Sequence, residues 1–234
     1  NAGPDNILTC ALTSLPLQAT ITSSSSPNIS YVWSTAGGGT ILSGGNTPSP
    51  TIGSAGTYTV VVTDAINGCT HTDQLVIGSD VTPPTALIAN PATLTCTLTQ
   101  TQLNALASSQ GANFTYAWTT TDGNILNGGT GLQPLVDDPG TYNLLITNTQ
   151  NGCTQTSSIV VPEDVVPPVA EAGNTVGLDC DTQTNALNGT GSSPGSNFTY
   201  TWSTQDGQII SGGNTLQPQI GDPGTYVLTV LNTT

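Results

Sequence analysis

Five cysteines carry the clearest chemistry in this chain, and they fall in two sets of matched positions. Cys10, Cys96 and Cys180 occupy one place in a recurring pattern, and Cys69 with Cys153 occupy another. Thiols at matched positions, without histidine partners, fit disulfides in an oxidising compartment better than zinc sites. The expected pairs lie within a unit, Cys10 with Cys69 and Cys96 with Cys153. Each would close a loop of about 60 residues, worth about 4 kcal/mol on the chain-entropy account. Cys180 has no second cysteine after it, so its partner is expected outside the chain.

Other reactive residue types are sparse. His71 and Asp73 stand two apart, but a hydrolase would also need a nucleophile on a strained turn with oxyanion donors, and no G-x-S-x-G occurs. The expectation is that the chain is not an enzyme. Acidic residues gather near the unit boundaries: Asp80, Glu163 with Asp164, Glu171, and Asp179 with Asp181. Calcium takes clustered carboxylate and carbonyl oxygens, so calcium at the joints is set against solvated acids and turn caps; no D-x-D-x-D-G loop is present. Asn28, Asn113 and Asn197 each open an N-x-S/T sequon at one repeat position, with Asn188 and Asn232 adding two more. They are candidate glycosylation sites, against the reading that Asn begins a strand and Ser or Thr is its outward residue.

The frame that positions these residues is a tandem repeat. Trp33, Trp118 and Trp202 are spaced by 85 and 84 residues, and Tyr58, Tyr142 and Tyr226 by 84 and 84. A period this long suits a complete β-sandwich per unit rather than a solenoid repeat. In the second unit, Phe114, Tyr116 and Trp118 alternate with Thr115, Ala117 and Thr119, the mark of a half-buried antiparallel strand. Short strands are expected at Leu94–Cys96, Leu103–Ala107, Ile125–Leu126, Leu132–Val136 and Thr154–Val161. Asp122-Gly123 and Asn151-Gly152 mark hairpins, and Asp138-Pro139-Gly140-Thr141 is a tight turn delivering Tyr142, Leu144 and Ile146 to the core.

All eleven aromatics sit at repeat-equivalent places, so Trp33, Tyr58, Trp118, Tyr142, Trp202 and Tyr226 are assigned to cores, leaving none for a sugar-stacking platform. Linkers at Asp80-Val-Thr-Pro-Pro84 and Asp164-Val-Val-Pro-Pro168 divide the chain into domains 1–80, 81–164 and 165–234. Paired prolines favour semi-rigid spacing, hence three domains in a rod. The third unit lacks its last strand and ends at Thr234, three residues before its second cysteine would fall. A longer parent polypeptide is expected, the alternative being a strand supplied by a neighbouring subunit.

Composition narrows the function. There is no Lys or Arg against 14 acidic residues, a formal charge of −14. Phosphate neutralisation is impossible, which excludes nucleic acid, and attraction to anionic lipid fails likewise. No apolar run approaches the ~18 residues of a membrane span. A polar, nearly uncharged surface without tryptic sites reads as an exposed extracellular protein.

Cys-Trp-Tyr-Cys on a sandwich invites comparison with immunoglobulin domains, but there the Tyr lies two residues before the second Cys and here it lies eleven before. The disulfide is therefore placed between the first strand and the turn before the last strand, at one end of the sandwich. The set of motifs is more specific: N-[IF]-[ST]-Y-x-W strands, x-G-G-x-T turns, D-P-G-T-Y turns and N-G-C-T closings. It resembles the tandem Ig-like, PKD-like repeats of very large surface adhesins in gliding and filament-forming bacteria of the Bacteroidetes type. The resemblance covers the whole chain and implies type IX secretion and a cell-surface fibre, adhesin or stalk. The expected function is a structural or adhesive segment of such a fibre, with itself as partner, or surface glycans and proteins of other cells. Two alternatives stand beside it: a ligand-binding module using end loops, and a pilin-like subunit polymerising by strand complementation.

Overall fold

The computed structural model describes residues 1–22 and 28–233, and every regular element in them is a β-strand. Thr234, at which the sequence reading places the end of the third unit, lies outside the described residues. The first repeat contains β1 (Asn6–Thr9), β2 (Leu15–Pro16), β3 (Ile29–Ala36), β4 (Ile41–Ser43), β5 (Thr51–Ile52), β6 (Gly56–Asp64) and β7 (Thr70–Asp80). They form two sheets, ordered β1-β7-β6-β3 and β2-β5-β4. All pairings are antiparallel except β1 with β7, which run parallel with Thr9 opposite Asp80. That division is the immunoglobulin arrangement, one sheet holding the Trp strand and the last two strands, the other holding the strands between.

The second repeat has β8 (Leu94–Thr95), β9 (Thr101–Gln102), β10 (Phe114–Thr120), β11 (Ile125–Asn127), β12 (Leu135–Val136), β13 (Gly140–Asn148), β14 (Thr154–Val161) and β15 (Glu163–Asp164). Its sheets run β10-β13-β14 and β11-β12-β9, with β15 parallel to β8. The separation of β14 from β15 has a local cause. Pro162 has no N–H to give the ladder, whereas Gly78, 84 residues earlier, keeps β7 unbroken. Proline also explains why the strand expected over Leu103–Ala107 is instead β9, at Thr101–Gln102. Leu103 and Ala105 still donate to the Pro134 and Leu132 carbonyls at 3.0 and 2.9 Å, but Pro134 cannot donate back, so beyond β9 the pairing runs in one direction only.

The third repeat has β16 (Asn185–Ala186), β17 (Phe198–Thr204), β18 (Gln208–Ser211), β19 (Gln219–Asp222) and β20 (Tyr226–Asn232), in sheets β16-β19-β18 and β17-β20. By compactness the chain divides into Asn1–Asp164 and Val165–Thr234, so the first two repeats form one unit.

Each repeat has its own core. Trp33, Trp118 and Trp202 are 5–6% exposed, Tyr58 and Tyr142 are fully buried, and Tyr226 is half-buried. Leu144 and Ile146 join Tyr142 in the second core. Each large apolar side chain so buried contributes about 1.5–3 kcal/mol. The polar tips are satisfied: each indole N–H donates to a loop carbonyl, Thr47, Gly131 or Thr215, at 2.9–3.0 Å.

The tyrosine hydroxyls supply a feature that the sequence reading missed. Tyr58, Tyr142 and Tyr226 donate to the carbonyls four residues upstream, Ser54, Asp138 and Asp222, at 2.6–2.7 Å. This is the tyrosine corner of immunoglobulin domains. The Tyr thus keeps its immunoglobulin role although the second Cys has moved away along the chain. Each hydroxyl also accepts the N–H of Thr40, Asn124 or Gln208 at 3.0 Å. Gly123 and Gly207 permit that approach, since a Cβ there would collide with the hydroxyl.

Candidate functional site at the stapled joint

The disulfide found among the described residues joins Cys10 to Cys153, across 143 residues of sequence. This corrects the expected pairs Cys10–Cys69 and Cys96–Cys153. The bonded cysteines stand where expected within a repeat, after the first strand and before the last, but they belong to neighbouring repeats. Cys69 and Cys180 are exposed thiols, and Cys96 is exposed.

The bridge is built from a tongue and a socket. After β1 the chain turns tightly: Thr9 N–H donates to the Leu12 carbonyl, and Leu12 N–H returns a bond to the Thr9 hydroxyl, both at 3.0 Å. Cys10 and Ala11 sit at the tip. The socket is the turn between β13 and β14, held by Gly152 N–H on Asn148 O at 2.7 Å and Asn148 N–H on Cys153 O at 2.9 Å. Gly152 adopts φ +71°, and a Cβ on it would lie 2.5 Å from that of Ala11. Glycine therefore serves both the left-handed turn and the contact. Ala11 N–H donates to the Asn151 carbonyl at 3.1 Å, and the sulfurs close the joint.

Asn151 organises this site. It is 2% exposed. Its amide donates to the Asp80 carboxylate at 3.0 Å and the Thr82 carbonyl at 3.1 Å. Its own side-chain oxygen accepts the Cys153 N–H at 2.9 Å. The linker, the tongue of the first repeat and the last turn of the second are thus tied to one residue. The sequence reading treated Asn151-Gly152 as a hairpin only; the recurrence of Asn-Gly-Cys at 67–69 was the available signal.

The remaining sequence candidates are placed as follows. Asp80 is engaged with Asn151, Glu163 and Asp164 form the exposed β15, and Glu171 accepts the Gly173 N–H at 2.9 Å. Among the described residues no three His, Cys, Asp or Glu side chains gather as a metal site. The Glu171 peptide is held by Ser192, only 3% exposed, whose hydroxyl accepts its N–H at 2.9 Å and donates to its carbonyl at 3.2 Å. Ser108 clamps Leu87 in the same way. These buried serines were not singled out from sequence, though the Ser-Ser pairs at 108–109 and 192–193 mark them.

Asn28 and Asn113 are exposed, and Asn197 is half-buried with its amide on Asn232 at 3.3 Å. All three lend their carbonyls to the turn after the partner strand, at Ala65, Thr149 and Thr233. His71 is exposed on β7, opposite Val62. Asp73 is tied to the amino-terminal segment: the Ala2 N–H donates to it at 2.8 Å and holds its carboxyl below the usual aspartate range. Among the described residues no hydrogen bond joins His71 or Asp73 to a hydroxyl or thiol side chain. Among the described residues no helix is long and apolar enough to cross a membrane.

No protein-family model matches the chain, and no curated protein matches it. Among solved structures it is similar to extracellular domains 3–5 of Drosophila OTK, at 13% identity and TM-score 0.27, over 99% of this chain and 91% of that one. It is also similar to three N-terminal domains of the bacteriophage RB49 highly immunogenic outer capsid protein, at 14% identity and TM-score 0.36, over 97% and 89%. A third similarity is to Sidekick-1 immunoglobulin domains 1–5, at 14% identity and TM-score 0.30, over 98% and 58%.

Proposed function

We propose that this chain is a non-catalytic, structural and adhesive segment of an extracellular bacterial surface fibre, in which three immunoglobulin-like repeats (1–80, 81–164 and 165–234) act as a mechanical tether. The observation that carries this reading is the Cys10–Cys153 disulfide, which crosses a joint instead of a domain. A bond so placed fits an oxidising compartment. Under tension it transmits force from residue 10 directly to residue 153. The stretch between them, 143 positions of sequence separation, cannot extend while it holds. The surface suits the same role: 14 acids and no Lys or Arg leave no tryptic site and no basic patch for nucleic acid.

Single-molecule extension of the chain tests the tether. With the disulfide closed, unravelling is expected to stop short; a reductant should release a further length of about 500 Å from the 143 residues it locks. Equal extension with and without reductant would sink the mechanical reading. Labelling intact source cells with antibody to the chain tests the surface location, and a signal that appears only after lysis would refute it.

A further inference from the structure

The joint between the first two repeats uses parts that the chain carries more than once. The tongue recurs at Thr95–Leu98, where Thr95 N–H donates to Leu98 O at 2.9 Å, and at Asp179–Thr182, where Asp179 N–H donates to Thr182 O at 3.1 Å. In the last of these the Asp179 carboxylate accepts the N–H groups of Asp181 and Thr182 at 2.9 and 2.7 Å, holding Cys180 at the tip as Cys10 is held. The socket recurs at Asn67-Gly68-Cys69. Gly68 N–H donates to Asp64 O at 2.8 Å, Asp64 N–H to Cys69 O at 3.0 Å, and Cys69 N–H to the Asn67 side chain at 2.9 Å. Each bond has its counterpart in the Asn151 socket, and Gly68 has φ +72° against +71° for Gly152.

The two sockets differ in what covers them. Asn151 and Cys153 are 2% and 1% exposed beneath the tongue of the first repeat, whereas Asn67, Gly68 and Cys69 are all exposed. No described residue comes within 4 Å of the Cβ position at Gly68.

We propose that the Asn67–Cys69 turn is a docking site for the Cys180 tongue of a second copy of this chain, closed by an intermolecular Cys69–Cys180 disulfide. The occupant follows from the chain itself. A tongue of the required fold and a socket of the required fold are both exposed on one molecule, so two copies suffice. The chemistry of the pair is that of the bond already present, a first-position cysteine of one repeat joining the second-position cysteine of another. Such a head-to-tail contact is heterologous and does not close on itself, which makes a series of copies. The inference stands on the geometry of the joint and does not depend on which cell carries the fibre.

The chemistry is ordinary thiol–disulfide exchange, with a small-molecule disulfide such as oxidised glutathione as oxidant. The Cys180 thiolate attacks one glutathione sulfur and expels glutathione thiolate. The Cys69 thiolate then attacks the Cys180 sulfur and expels the second. Two protein thiols and one glutathione disulfide thus give one protein disulfide and two glutathione thiols, two electrons passing to glutathione.

The test is to incubate the full chain with a glutathione redox buffer and map disulfides by chymotryptic peptide mass, since trypsin has no site. The expected product is a covalent series of copies containing the Cys69–Cys180 peptide. Gly68→Ala leaves the thiol in place but puts a methyl where the tongue must pack, and should lower that peptide about tenfold. The Cys10–Cys153 peptide, retained in G68A, reports that the variant is folded. Cys69 remaining a thiol, Cys69 pairing with Cys69, or a Cys69–Cys180 yield indifferent to G68A would each overturn the proposal.

Discussion

Tyr142 shows how much one hydroxyl can hold. It donates to Asp138 O at 2.7 Å and accepts Asn124 N–H at 3.0 Å, from a side chain that is fully buried. Tyr142→Phe should cost about 1–3 kcal/mol in denaturant unfolding, because the Asp138 carbonyl and the Asn124 N–H both lose their partner in a part-buried site. A loss below about 0.3 kcal/mol would mean that the corner is ornamental. Asn151→Ala should cost a similar amount, by releasing Asp80 and Thr82 together. Acid reads another set of residues. The Thr141 N–H holds Asp122 below its ordinary value of 3.8, and the Thr225 N–H does the same for Asp206. Since both folded carboxyls titrate lower than in the unfolded chain, their stabilisation is complete above about 3.8 and is lost as pH falls through the lower folded values. The melting temperature should therefore hold from about pH 7 to 5 and drop below about pH 4, with Asp122→Asn and Asp206→Asn reducing the drop. A decline that begins well above pH 5 would point to other groups.

The elements were legible to different degrees, for reasons that lie in the chain. β10 could be read from the sequence because seven residues of alternation leave one register for the core face, and β14 because it follows the Asn151-Gly152 turn. β9 and β12, two residues each, were misplaced by the same logic: their apolar neighbours Leu103 and Leu132 suggested longer strands, but Pro134 removes the donor that would extend the ladder. The cysteine positions were equally readable, while the partners were not. In a tandem array the Cys69 and Cys153 turns are chemically alike, and the period says nothing about which copy lies opposite Cys10. The pairing became visible only when Gly152 was seen against Ala11. Likewise Asp80 looked like a free acid at a joint until the buried Asn151 amide gave it a partner.

At the scale of the whole molecule, the bridge couples what would otherwise be separate folding units. A loop of 143 residues corresponds to about 5 kcal/mol of unfolded-state entropy on the chain model. Cys10→Ala should therefore convert a joint unfolding transition of residues 1–164 into two, resolved by calorimetry, with the first repeat melting on its own. One transition at unchanged temperature would show that the packing around Asn151, and not the sulfur bond, joins the repeats.

The same bond changes what backbone damage means. A protease that cuts any exposed loop between residues 10 and 153 severs the peptide chain but not the molecule, because the two fragments remain joined through sulfur. A loop tip in either repeat can be nicked, as exposed tips usually are first, and the tether still has a continuous covalent path from one end to the other. Nicked chain should migrate as fragments only after reduction, which makes the joint a device for surviving wear as much as for resisting pull.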